Sequence, residues 1–91
     1  MIKGFKCKKT KRLFEGERVS DFSGFSRQAE KRLRILNASE TLEDLRALRS
    51  NRFEALYGDR TGQYSIRINK QWRICFRWEE GACDVEIVDY H

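Results

Sequence analysis

Tyr64-Ser65-Ile66-Arg67-Ile68-Asn69-Lys70-Gln71-Trp72-Arg73-Ile74-Cys75-Phe76-Arg77-Trp78 contains two runs in which apolar and polar residues alternate. Successive side chains on a strand point to opposite faces, so this pattern predicts two half-buried strands joined through a short Asn69 to Gln71 connection. Tyr64, Ile66 and Ile68 fall on one face, as do Trp72, Ile74, Phe76 and Trp78. Arg67, Arg73 and Arg77 emerge together on the other. After a turn at Glu80-Gly81, Cys83, Val85 and Ile87 alternate with Asp84 and Glu86 and predict a further strand. Ahead of the run, Phe53 to Tyr57 predicts another strand, which ends at the Gly58-Asp59-Arg60-Thr61-Gly62 turn.

The N-terminal half changes period. Met1 to Cys7 is a candidate edge strand, Lys8 to Glu15 a short basic helix closed by Gly16, and Glu17 to Gly24 a loop. Ala29, Leu33 and Leu36 recur at helical spacing with Ile35 alongside, opposite Arg27, Lys31 and Arg34, in a helix that Ser26 is placed to cap. Thr41 is the expected cap of a shorter helix through Leu42, Leu45 and Leu48, with Glu43 and Asp44 at its positive end. The sum is a single α+β domain over residues 1–91, with helices laid on one face of an antiparallel sheet of about four strands.

Composition narrows the function. Nineteen Lys and Arg against 14 Asp and Glu leave a net charge of +5 and a pI near 9.4, which favours a polyanionic partner. Arginine exceeds lysine, and the planar guanidinium bonds phosphate oxygens in a forked geometry. Cys7, Cys75 and Cys83 are odd in number and lack C-x-x-C spacing, and no secretory leader is read, so a reducing cytoplasm is expected. The one histidine is His91, so no metal or other cofactor is expected, and no apolar run is long enough for a membrane. Cross-strand pairing of Arg67, Arg73 and Arg77 with Asp84 and Glu86 is the plain structural alternative to a binding face.

The ending Val85-Glu86-Ile87-Val88-Asp89-Tyr90-His91 resembles the HigB branch of the RelE/ParE toxin superfamily. So do Gly58-Asp59-Arg60, Tyr64-Ser65-Ile66-Arg67, Trp72-Arg73-Ile74-Cys75-Phe76 and the opening Met1-Ile2-Lys3-Gly4-Phe5. The resemblance implies a RelE-like fold and a ribosome-dependent endoribonuclease that cuts mRNA in the decoding site. Its partner would be a HigA-like helix-turn-helix antitoxin, through which alone it would reach operator DNA.

Such cleavage uses the 2′-hydroxyl against the adjacent phosphorus, and needs a proton acceptor, a cation for the phosphorane charge and a donor to the leaving oxygen. By resemblance Arg73 is the cation and His91 the acid, with Asp89 orienting His91 and Tyr90 positioning or stacking on a base. Where HigB relatives carry a histidine this chain has Glu54, and where they carry a lysine it has Tyr57. The glutamate, arginine and C-terminal histidine set is similar to the YoeB branch, which makes Glu54 the candidate base.

The division of acid and base roles among Glu54, Asp89 and His91 stays open. Arg60 or Arg67 is left to supply a second cation, the alternative being weaker activity. Tyr57, Arg60, Arg67 and Arg77 are the expected RNA contacts, and Lys8, Lys9, Lys11, Arg12, Lys31 and Arg34 the expected ribosome-docking face. Two other functions compete: a ParE-like toxin acting on gyrase, and a non-catalytic basic RNA- or ribosome-binding module.

Overall fold

The computed structural model describes residues 1–89; the expectations for Tyr90 and His91 lie outside the described residues. Three helices, α1 (Lys8–Phe14), α2 (Ser26–Ala38) and α3 (Leu42–Ala47), precede the strands β1 (Glu54–Ala55), β2 (Tyr64–Arg67), β3 (Trp72–Trp78) and β4 (Ala82–Asp89). The strands form one antiparallel sheet in the order β1-β2-β3-β4, as expected for an α+β domain.

Local chemistry explains the boundaries. α1 ends in a Schellman arrangement, with Glu17 N–H donating to Arg12 O and Gly16 N–H to Leu13 O, and Gly16 takes φ +92° without a Cβ penalty. Thr41 Oγ1 accepts from Asp44 N–H while the Asp44 carboxylate accepts from Thr41 N–H, a complete capping box. Asn69 Oδ1 accepts from Gln71 N–H and Trp72 N–H, each at 2.8 Å, and so fixes the β2–β3 turn. The turn before β4 needs Gly81, because a Cβ there would lie 2.8 Å from Met1 O.

The N-terminal segment runs beside β4. Lys3 N–H donates to Ala82 O and Lys6 N–H to Val85 O, so the expected edge strand is present as two isolated parallel bridges. Ala29, Leu33 and Leu36 of α2 are fully buried against Ile66, Ile74 and Phe76 in one hydrophobic core, which also takes in Leu13, Leu45 and Val85. No helix among the described residues is long and apolar enough to cross a membrane.

Five local expectations are corrected. The segment expected as loop from Glu17 to Gly24 contains a 3-10 turn, Ser20–Phe25, which drives Phe22 and Phe25 into the core, where Phe25 stacks on Trp72 with centroids 4.7 Å apart. Ser26 does not cap α2. It is already helical, the cap position is Phe25, and no side chain caps it.

α3 stops at Ala47, leaving Leu48 outside the helix and 41% exposed. The strand expected from Phe53 to Tyr57 shortens to Glu54–Ala55, hemmed in by left-handed Arg52 and by the 3-10 turn Gly58–Arg60. Finally, Cys83 is not in phase with Val85 and Ile87. Cys83 pairs with Arg77 but Glu86 pairs with Cys75, so β4 carries one extra residue, and Asp84 absorbs it at φ +52°. The core face of β4 is therefore Ala82, Val85 and Ile87.

Candidate functional site

The face of the sheet turned away from α2 carries the candidate chemistry. Glu54, Ser65, Cys75 and Glu86 are successive partners across all four strands and make one row of side chains. The neighbouring row is Arg67, Arg73 and Val88. Ser65 and Cys75 are small and fully buried, which leaves room for long basic side chains to lie flat over them.

Arg73 occupies that room and, against the expectation of an emerging arginine, is only 7% exposed. Its Nε donates to Ser65 Oγ at 2.8 Å, and its Nη2 donates to the Arg52 carbonyl and, at 3.4 Å, to Ser65 O. Arg52 presents that carbonyl from a left-handed backbone, φ 46°, a conformation that costs a non-glycine residue about 1–2 kcal/mol. These contacts to neutral oxygens orient the guanidinium. Arg73 Nη1 also lies 3.9 Å from Glu54 Oε1, whose side chain is 51% exposed on the short edge strand. A fixed cation and an accessible carboxylate thus meet on one open face.

Arg60 lies further along this face. Its Nη1 donates to Gln63 Oε1 at 2.9 Å and to Glu86 Oε2 at 3.2 Å, and Lys6 approaches the same Glu86 carboxylate at 3.6 Å. Burial pushes the Cys75 thiol pKa up, opposed in part by the nearby Arg60 guanidinium. Arg67 stands directly opposite Arg73 and, among the described residues, has no carboxylate partner. Arg77, by contrast, lies 3.9 Å from Glu79 in the following turn and 3.9 Å from Asp84 on β4, the latter being the ordinary cross-strand alternative. Tyr57 projects into solvent beside the Gly58 turn, 84% exposed.

Asp89 is not brought onto this face. It pairs with Trp72, whose ring packs on Phe22 and Phe25, and its Oδ2 accepts from Gln71 Nε2 at 3.1 Å. Tyr90 and His91 lie outside the described residues.

The helical basic residues Lys8, Lys9, Lys11, Arg12, Lys31 and Arg34 are all exposed. Three are locally neutralised, Lys9 by Asp21 at 2.7 Å, Arg12 by Glu17 at 3.3 Å and Arg34 by Glu30 at 3.9 Å. The Lys9 bond holds the Asp21 carboxyl below its usual range.

Sequence reasoning missed Ser65 and the Arg52 carbonyl as the groups that aim Arg73. The signal available was size: Ser65 and Cys75 are small residues standing between Glu54 and Glu86 in one cross-strand row.

A family-wide sequence profile described as the RelE-like toxin of the type II toxin-antitoxin system HigB matches residues 3–91. Over 61 residues, 67% of this chain and 64% of the relative, the sequence is 43% identical to Toxin HigB-1 of Vibrio cholerae serotype O1. It is 34% identical over 61 residues to an uncharacterized protein of Haemophilus influenzae, covering 67% of this chain and 60% of that one. The chain therefore spans just under two thirds of the length of these curated relatives. With the profile running along nearly its whole length over an α+β domain of three helices and four strands, the chain belongs to the HigB-like toxin family.

Proposed function

We propose that this protein is the toxin of a type II toxin–antitoxin pair and acts in the cytoplasm as a ribosome-dependent endoribonuclease on mRNA. The observation that carries the reading is the oriented, buried guanidinium of Arg73 with the half-exposed carboxylate of Glu54 3.9 Å away on an open sheet face. Membership of the HigB-like toxin family supports it.

In this mechanism Glu54 takes the proton of the 2′-hydroxyl as the oxygen forms a bond to phosphorus. The bond from phosphorus to the 5′-oxygen breaks, and His91 is the proposed donor to that leaving oxygen. Negative charge gathers on the nonbridging oxygens, where the Nη1 end of the Arg73 guanidinium, held in place through Nε and Nη2, stabilises it. The products are a 2′,3′-cyclic phosphate and a free 5′-hydroxyl. The proposed partners are a HigA-like helix-turn-helix antitoxin, the ribosomal decoding site and translated mRNA. Operator DNA is reached only through the antitoxin.

The test maps RNA ends in a cell-free translation reaction. The wild-type protein is expected to cut within codons only while ribosomes translate, and Arg73→Ala to abolish the cuts. Intact message with a folded wild-type protein, or DNA breakage that depends on gyrase, defeats the reading.

A further inference from the structure

Next to the Arg73 face, where β2 ends, an open groove of about 420 Å³ lies among α2, the segment before β1 and the β2–β3 turn. Its charged lining residues are Arg32, Arg52, Arg67 and Lys70, and the remaining ones, such as Ser50 and Asn69, are neutral. Among the described residues, none of these four cations is in an ion pair. Arg60 and Arg73, on the neighbouring part of the sheet, each have a carboxylate within reach, so the groove stands out as a local excess of positive charge.

Arg32 is held in place. Its Nη1 donates to Asn51 Oδ1 at 2.9 Å and to Ser50 Oγ at 3.1 Å, and Asn51 is itself fully buried and anchored through Nδ2 to Leu45 O at 3.0 Å. Partial burial lowers the Arg32 pKa, because its charge is desolvated without a compensating anion. Arg67 adds a second cation at the position directly opposite Arg73, which joins the groove to the Arg73 face. Arg52 belongs to the groove through its side chain and to the Arg73 site through its carbonyl.

We infer that this groove binds the backbone phosphate adjoining the one that is cut, so that single-stranded RNA runs from Arg73 over Arg67 into the pocket of Arg32, Arg52 and Lys70. The inference rests on the reading of RNA as substrate. Three guanidinium groups presented around a concave, carboxylate-free surface suit a phosphodiester oxygen, which accepts forked hydrogen bonds. Continuity with the Arg73 face favours the strand being cleaved over an acidic segment of a protein partner.

The probe is a short fluorescein-labelled oligouridylate with 2′-O-methyl groups, which bind but cannot be cut, titrated by anisotropy between about 50 and 200 mM KCl. The Arg67→Gln/Lys70→Gln pair is expected to weaken binding about tenfold at the low end. Its salt slope should be shallower than wild type by about 0.7, the single-strand contribution of the one phosphate that is no longer neutralised. A control pair with the same charge change, Lys3→Gln/Arg18→Gln, should keep the wild-type slope, since Lys3 sits at the far end of the sheet beside Ala82. Arg32→Lys keeps the charge but loses the fork, and should fall between wild type and the double variant.

Equal slopes for the groove and control pairs would overturn the assignment, as would a wild-type protein that does not bind the oligonucleotide. So would a groove pair that binds RNA normally yet loosens a complex with an acidic partner protein. Cleavage on translating ribosomes is scored separately. No cleavage by wild type alongside a groove-dependent slope removes the nuclease and keeps the groove, and the converse result removes only the groove.

Discussion

Ser65 Oγ accepts a 2.8 Å hydrogen bond from Arg73 Nε, and both residues are buried on the face that bears Glu54. The serine therefore sets the direction in which the guanidinium points. Ser65→Ala should lower the single-turnover cleavage rate by about tenfold, equivalent to about 1.4 kcal/mol of lost orientation. Ser65→Thr, which restores the hydroxyl on a strand that favours β-branching, should recover most of the rate. A serine needed only for packing would show no such rescue.

Glu54 is half-exposed on a two-residue edge strand, so its replacement should leave the fold intact. Glu54→Gln is expected to slow single-turnover cleavage by about 10²–10⁴-fold, the usual span for a lost general base. An undiminished rate in Glu54→Gln would assign proton abstraction to another group.

The capping box of α3 makes a pH-dependent contribution to stability. Backbone N–H groups of Glu40 and Thr41 hydrogen-bond the Asp44 carboxylate and hold its pKa below the ordinary 3.8. A pKa depressed in the folded state stabilises above the unfolded value, and that stabilisation is lost as pH falls through the folded one. Thermal melts at about pH 7 and about pH 3 should show a smaller acid-induced loss in Asp44→Ala than in wild type. Thr41→Ala should cost about 1 kcal/mol at neutral pH.

Asn51 is a buried polar side chain with both ends used, donating to Leu45 O and accepting from Arg32 Nη1. Asn51→Ala strands the Leu45 carbonyl and releases Arg32. Urea unfolding should register a loss of about 1–3 kcal/mol.

The three thiols should separate by reactivity. Cys75 is fully buried with its pKa raised by desolvation, while Cys7 and Cys83 are partly accessible. Iodoacetamide on the native protein is expected to label Cys7 and Cys83 and to spare Cys75, as read by peptide mass spectrometry.

Much of this architecture was legible because period-two and helical patterns are strong where one face is buried. Tyr64 to Ile68 and Trp72 to Trp78 alternate cleanly, and Ala29, Leu33 and Leu36 form a clear stripe, so the sheet, the main helix and their contact could be read directly. The loop Glu17 to Gly24 was harder. Phe22 and Phe25 follow neither period, and only the tertiary contact with Trp72 explains them.

The candidate site divided in the same way. That Arg67, Arg73 and Arg77 share a face followed from alternation, but the depth of each did not. Arg73 sinks because Ser65 and the Arg52 carbonyl receive it, and nothing in the residue type of Arg52 announces its left-handed backbone. The pairing of Arg60 with Glu86, 26 positions apart, was likewise invisible until the strands were in register.

The extra residue at Asp84 works like a half-turn in a ribbon. Everything in β4 beyond it presents the side opposite to the one that uninterrupted alternation from Cys83 would dictate. Were pairing to run evenly onward from Cys83, Glu86 would stand opposite Ile74, beneath the helices, and Arg60 and Lys6 would be stripped of their shared counter-ion. A single backbone irregularity thereby decides which surface receives the carboxylate and which receives Val85 and Ile87, and the basic face inherits its charge balance from a kink that touches none of its arginines but Arg77.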